Sequence, residues 1–398
     1  MRLLWIGINF NEEIKNELVS YGTAILSGAF SEENLVNGID TIGYTDMDTI
    51  NSYRYPKCPK GPKIVERKEW SRNGVSCDVS VPYKNAGYFS HFYREKSLKK
   101  EVREWAKGID RDEKVIVFVY SMHSPFMAAA KELKKIHKNT TIAILVLDLP
   151  QFMDLHMSRV KKVLKALDWK KIKKYMKSVD KYILYSKHMA EFLHLKDGSW
   201  TVMEGSFDPA LVVEETVEKG NKLPIMYSGV LDTRYGIPEL LEAFSQLDDR
   251  FELWFTGSGN AVDLINECAE KDSRIHNFGF LPSRHDLLLK QKQAAMLIST
   301  RRPDEAASDY CFPSKLFEYM ISGNPVLSCR IGGIPDEYFN YLVEMKSTSP
   351  EDIKEAILKV AEMPQNEREE RGEKSREFIL KEKSNISQAR KIIEFVMN

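Results

Sequence analysis

The chain has 398 residues, 43% of them hydrophobic and 29% charged, and its 58 basic and 58 acidic side chains leave a formal net charge of zero. That length exceeds what one hydrophobic core usually holds, so two domains are expected, and the charge balance excludes a global pull toward nucleic acid. Five scattered cysteines (Cys58, Cys77, Cys268, Cys311, Cys329) without Cys-x-x-Cys spacing argue for reduced thiols in a cytoplasm, against a zinc site or a disulfide framework.

Residues 1–7 are too short for a secretory apolar region, and no apolar run approaches the roughly 18 residues that cross a bilayer. The expected location is cytoplasmic, at most peripheral on the inner face of the cell membrane. Residues 3–8 read as a parallel strand covered on both faces. A helix over 27–37 and a strand over 40–44 follow. Residues 46–95, with Pro56, Pro59, Pro62 and several aromatics, read as a long excursion without a motif. Then come helix 98–109, strand 115–120, helix 125–137, strand 141–147, two helical stretches over 157–178, strand 181–186, helix 188–195 and strand 200–204. The polar, aperiodic stretch 217–222 marks a boundary between Asp208 and Leu223. A second series has strands at 224–230, 251–256, 275–278, 295–299, 325–328 and 341–344, with helices at 237–247, 261–271 and 284–293. Helices over 350–362, 365–381 and 385–397 end the chain. Strands alternating with helices give open parallel sheets with right-handed crossovers. The fold class is α/β: two Rossmann-like domains, 1–210 and 211–383, facing a central cleft at the carboxyl ends of their strands. Residues 384–398 form a helix packing back toward the N-terminal domain.

The stretch 308–324, SDYCFPSKLFEYMISGN, organises the second domain. Pro313 suits a first helical position, Leu316, Phe317, Met320 and Ile321 make one apolar stripe, and Gly323 stops the helix. Ser314, Lys315 and Glu318 fall on the opposite side. A helix start with free amides, one lysine and one carboxylate suits a phosphate and a sugar hydroxyl. Upstream, Arg234 in YSGVLDTRYGI is either an anion-binding arginine at a strand end or a solvated turn residue. Gly257 and Gly259 in FTGSG let a ligand approach the backbone or simply end a strand. Phe280 and Leu281 in NFGFLP, and the later GGIPDE, repeat that pattern. In the first domain His123 ends a strand, where it contacts a ligand or caps a helix. Asp148 ends the next strand, where it contacts a hydroxyl or caps a helix.

In order and spacing these pieces resemble the family 4-like glycosyltransferases of the GT-B architecture, strongly over 224–340 and in outline over the first half. The resemblance implies a nucleotide-diphosphate sugar donor on the second domain and a glycan or lipid-linked acceptor on the first. It implies transfer with retention of configuration, no cofactor and no obligatory metal. The donor set it implies is Gly28, Arg234, Gly257, Gly259, Phe280, Leu281, Phe312, Pro313, Ser314, Lys315, Leu316 and Glu318. His123, Asp148 and Tyr310 are the candidates for the chemistry. Glu318 matches the second glutamate of the family's Glu-x7-Glu motif, which binds the donor ribose. The first falls on Tyr310, with Asp309 one place before. Val230 and Tyr235 replace the family's basic pair, leaving Arg234, Arg301, Arg302 and Arg330 as sources of a second cation. An epimerase of the same architecture and a non-catalytic partner subunit are the rival readings. Residues 157–181 hold ten basic residues against Asp168 and Asp180. They form solvated amphipathic helices packed on the domain, or a landing patch for anionic lipids. Interleaved aromatics of a nucleic-acid surface are missing, so no nucleic-acid partner is expected.

Overall fold

The structure, a computed structural model, describes residues 1–21, 27–152, 159–305 and 307–398. The chain divides into two units: Met1–Ser206 with Asn385–Asn398, and Phe207–Ser384.

In the first unit, runs such as VIVFVY at Val115–Tyr120 are buried at every residue, as parallel strands covered on both faces must be. Eight strands lie in the spatial order Trp200–Val202, Lys181–Leu184, Thr140–Val146, Val115–Tyr120, Arg2–Gly7, Asp48–Asn51, Asp78–Ser80 and Lys68–Trp70. All run parallel except Lys68–Trp70, which pairs antiparallel with Asp78–Ser80. The sheet grows outward from Arg2–Gly7 in one direction and then, from Val115–Tyr120, in the other. Its switch point therefore lies between those two strands.

The first unit departs from the expected elements at four places. Of the strand expected over 40–44, residues 40–41 end the helix Ser27–Thr41 and 42–44 leave it through a turn, and the neighbour of Arg2–Gly7 is Asp48–Asn51. Leu35, Val36 and Ile39 share a core with Ala389, Ile392, Ile393 and Val396, a helical spacing that continues the helix past 37. The helix expected from 98 begins earlier and spans Ser90–Ala106. Its buried positions are Arg94, Leu98 and Val102, and a charged residue in the stripe hides the first turns from a hydropathy reading. The described part of 157–178 is one helix, Arg159–Met176. The helix Asn385–Met397 closes the first unit against Ser27–Thr41. A Cβ on Gly38 would fall 2.3 Å from the Asn385 carbonyl oxygen, so the two backbones touch.

The second unit has six parallel strands in the order Ile275–Asn277, Phe251–Ser258, Leu223–Val230, Met296–Ser299, Val326–Cys329 and Val343–Met345. Counted within the unit this is 3-2-1-4-5-6, the order of dinucleotide-binding sheets. Ile225 pairs with Met296, so the switch point lies between the first and fourth of these strands. Tyr227, Phe244, Phe251, Phe255 and Tyr319 fill the core beneath it.

Candidate functional site

At the switch point of the second unit, Gly229 at the end of its strand, Arg301 after Met296–Ser299, and the helix Lys315–Ile321 come together. The Lys315 ammonium lies 3.7 Å from the Tyr227 ring centroid. A Cβ on Gly229 would sit 3.8 Å from the Lys315 Cε and Nζ, so this glycine leaves the lysine its place. Burial first, and then the Arg301 charge, push the Lys315 amine down to about 7, with Glu318 opposing.

A seven-residue helix has no stability of its own, and tertiary bonds fix this one. Tyr319 Oη accepts from the Ser228 amide at 2.7 Å and donates to the Ser228 carbonyl at 2.9 Å. Gln291 Nε2 donates to Ser228 Oγ at 2.9 Å, and Asn324 Nδ2 donates to the Gln291 and Lys292 carbonyls at 3.0 and 3.1 Å. Tyr319→Phe strands a buried amide and is expected to cost about 2 kcal/mol. The urea unfolding midpoint measures this; an unchanged midpoint contradicts the role given to Oη.

One turn along the same helix, Glu318 Oε1 lies 3.4 Å from Arg284 Nη2. Burial raises the Glu318 carboxyl, and the Arg284 charge, a hydrogen bond from Gln291 and the Lys315 charge oppose that rise. Arg284 opens the helix Arg284–Gln293, behind its Ser283 cap. Sequence reading missed Arg284 and Gly229 as parts of this site.

The other expected cations are engaged elsewhere. Arg234 closes a two-point pair on Asp232, Nε to Oδ1 at 2.9 Å and Nη2 to Oδ2 at 2.7 Å, and its donors hold the Asp232 carboxyl down at about 2. Arg302 pairs with Glu239, and Arg330 with Glu344 and Asp336. Arg301 remains at the switch point, its guanidinium 5.5 Å from the Tyr235 ring centroid, with Ser308 Oγ at 3.3 Å and Glu305 at 3.6 Å.

The helix begins at Lys315, so Pro313 stands before its first residue. The row of free amides is shorter than expected: Leu316 N–H donates to the Pro313 carbonyl at 2.9 Å and Phe317 N–H to Ser314 at 3.2 Å. Phe312 is buried against Phe317 and Tyr338, and Leu316 is fully buried, so neither side chain is available to a ligand. Ser314 is exposed beside Lys315. Gly257 and Gly259 lie against the backbone of the adjoining strand and the residue after it. A Cβ on Gly257 would meet the Gly229 carbonyl oxygen at 1.8 Å, and one on Gly259 the Leu231 carbonyl oxygen at 2.0 Å. Phe280 is exposed and Leu281 half-buried, on a loop held by Thr256 Oγ1 donating to the Gly279 carbonyl at 2.6 Å. In the GGIPDE turn, Gly333 N–H donates to the Ser308 carbonyl at 2.8 Å, which makes that turn a support for 308–311. Tyr310 is half-buried, its N–H donating to the Ala307 carbonyl at 3.1 Å.

The remaining candidates belong to the first unit. Gly28 stands at the start of Ser27–Thr41, its carbonyl accepting from Tyr120 Oη at 2.5 Å, and residues 22–26 of that loop lie outside the described residues. His123 precedes the helix Ser124–Ile136, its ring 5.8 Å from that of Phe126. Burial, then the Arg54, Arg94 and His91 charges, push the His123 imidazole down to about 3, so it is neutral at physiological pH. Asp148 is exposed beyond Thr140–Val146. Among the described residues no group of His, Cys, Asp and Glu gathers that could hold a metal ion, and no helix is long and apolar enough to cross a membrane.

Residues 212–378 match the family of glycosyl transferases group 1. None of the curated proteins matches the sequence. Among solved structures the chain is similar to Anabaena HepE in complex with UDP, at 11% identity and a TM-score of 0.66, over 100% of both chains. It is similar to the trehalose-6-phosphate structure from E. coli bound with UDP-2-fluoro glucose, at 11% identity and a TM-score of 0.67, over 100% of this chain and 99% of that one. The apo form of the lipopolysaccharide outer core galactosyltransferase WaaB matches at 13% identity and a TM-score of 0.65, over 100% of this chain and 99% of that one. These likenesses place the chain in the GT-B fold.

Proposed function

We propose, because residues 212–378 match the glycosyl transferases group 1, that the chain is an enzyme of that class and moves a sugar from a nucleotide-diphosphate donor to a hydroxyl of a glycan or lipid-linked glycan precursor. One observation carries the donor assignment: Lys315 and Arg301 bring two like charges to the switch point of a dinucleotide-ordered sheet, where burial first and the Arg301 charge second push the Lys315 amine down. A diphosphate relieves that repulsion. Glu318, one helical turn from Lys315, takes the ribose hydroxyls, and Arg284 aligns its carboxylate. UDP and a UDP-sugar analogue bound in two similar structures support a donor of this kind.

The chemistry is transfer with retention. As the bond to the anomeric carbon breaks, negative charge grows on the leaving diphosphate, and Lys315 and Arg301 stabilise it. The leaving phosphate oxygen takes the proton of the attacking hydroxyl on the same face of the sugar. The acceptor belongs to the first unit, where neutral His123 and exposed Asp148 offer hydrogen bonds to its hydroxyls. Tyr310 stands where the family has an acid and contributes a hydroxyl to the donor sugar.

Incubation with UDP-, GDP- and ADP-sugars tests this reading. Release of free nucleotide supports a transferase; a changed sugar on an intact diphosphate supports the epimerase; no binding supports a non-catalytic subunit. Glu318→Ala is expected to weaken donor binding about 10- to 100-fold, the loss of one or two charge-assisted hydrogen bonds. Unchanged affinity contradicts the ribose assignment.

The finer location we propose is the cytoplasmic face of a membrane. On Arg159–Met176, Val163, Leu164 and Leu167 are 61%, 43% and 53% exposed among the lysines, and Phe89 and Phe92 on the neighbouring segment are 71% and 61% exposed. An apolar stripe left in solvent and bordered by lysines favours the lipid reading over packing on the domain. Sedimentation with anionic rather than zwitterionic vesicles is the expected result, and equal partition contradicts it.

A further inference from the structure

The first unit gathers positive charge at its own switch point. Ser52 follows Asp48–Asn51, His123 and Ser124 follow Val115–Tyr120, and His91 and Arg94 lie at the start of Ser90–Ala106. Short contacts tie these segments together. Arg94 Nε donates to Ser52 Oγ at 2.9 Å and Nη2 to the Ser52 carbonyl at 2.6 Å. His91 Nε2 lies 2.7 Å from Ser124 Oγ. The Arg94 guanidinium and the His123 ring lie 5.7 and 5.8 Å from the ring centroid of Phe126.

Arg94 is only 5% exposed, and its hydrogen bonds go to neutral oxygens. A buried guanidinium stays charged, and without a counter-ion its burial costs several kcal/mol. Tying down the Ser52 loop accounts for the hydrogen bonds, but a neutral donor would do that without the charge. A second cation, Arg54, is exposed on the same loop and has no ion pair among the described residues. Burial first, and then the Arg54 charge, push both Arg94 and His123 down, with Asp168 opposing at His123, so Arg54 adds its positive charge to the same locus. The carboxylates around the cluster are already engaged. Asp168 accepts from Ser124 Oγ at 2.5 Å beside His91, and Glu95 pairs with Lys99 and Lys171. Glu32 is held by Trp5 Nε1 and the Ile8 amide, and burial pushes its carboxyl up to about 8, so at neutral pH it contributes little negative charge. The amino ends of Ser90–Ala106 and Ser124–Ile136, which meet through His91 and Ser124, add partial positive charge.

We propose that this edge of the first unit binds an anionic group, a phosphate or a carboxylate, carried by the acceptor. Arg54 reaches the anion from the loop as a two-point donor, Arg94 supplies fixed charge behind it, and His123 donates a neutral N–H. The acceptor is thus a phosphorylated or acidic sugar rather than a neutral one. The proposal rests on assigning the acceptor to this unit.

The test uses the full chain with UDP saturating, so that the diphosphate position is filled. Inorganic phosphate, glucose 6-phosphate, glucuronate and glucose are titrated calorimetrically. At least one of the two anionic sugars should bind about tenfold or more tighter than glucose, a gap of about 1.4 kcal/mol, and Arg54→Ala should erase the gap while Arg54→Lys restores part of it. Which anionic sugar binds tighter separates phosphate from carboxylate. Equal affinities, no detectable binding, or a preference that survives Arg54→Ala overturns the proposal. UDP affinity, measured first, reports on the donor reading alone. If UDP does not bind, the same titrations into the UDP-free protein still decide the anion site. Arg54 is exposed, so its replacement does not endanger folding.

Discussion

Replacing Lys315 by Met lowers UDP affinity about 100-fold, close to 3 kcal/mol, and removes the pH dependence of binding above neutrality. In the free protein the Lys315 amine sits at about 7, held down by burial and by Arg301. A diphosphate placed against it favours the charged form and raises that value. Binding above pH 7 must therefore take up a proton, and the sign follows: affinity falls as pH rises from 7, by up to tenfold per unit, and levels off below 7, where the amine is already charged. Titration at pH 8 in two buffers of different ionisation enthalpy should show close to one proton taken up by the wild type and none by Lys315→Met. Affinity that is flat between pH 7 and 9, or a slope that survives the substitution, removes Lys315 from the diphosphate.

Gly257→Ala is expected to destabilise the second unit by about 3 kcal/mol or more, or to leave the protein insoluble. Two independent costs combine. Gly257 has φ +137°, a conformation that L side chains rarely adopt, and an added Cβ would meet the Gly229 carbonyl oxygen at 1.8 Å. The strands Leu223–Val230 and Phe251–Ser258 would have to part where their ends shape the Lys315 site. Gly220→Ala, with nothing within 4 Å of the added Cβ, is the control and should leave the urea midpoint unchanged. Equal midpoints for the two variants contradict the packing argument.

Much of this architecture is legible in the sequence because parallel strands buried on both faces, such as VIVFVY, leave an unbroken apolar run. Lys315 and Glu318 were legible because they sit three apart in one motif that also supplies its own apolar stripe. Charges that reach the site from distant segments were not. Arg284 looks like any helix-opening residue until folding places its guanidinium beside Glu318. Arg234 looks like the best cation in the turn until Asp232 closes on it. Arg94 both hid the start of its helix and marked a second charged locus, because burial of an arginine inverts the usual reading of a polar position. The glycines of FTGSG carried a true signal of close approach, and the carbonyls of Gly229 and Leu231 are what the structure brings against them.

The central claim is that a nucleotide diphosphate occupies the second unit's switch point, with phosphates at Lys315 and Arg301 and ribose at Glu318. A crystal structure of the full chain grown with UDP tests it directly. The account predicts phosphate oxygens within hydrogen-bond distance of Lys315 Nζ and a ribose hydroxyl on the Glu318 carboxylate. UDP bound elsewhere, or its diphosphate turned away from both cations, would contradict it.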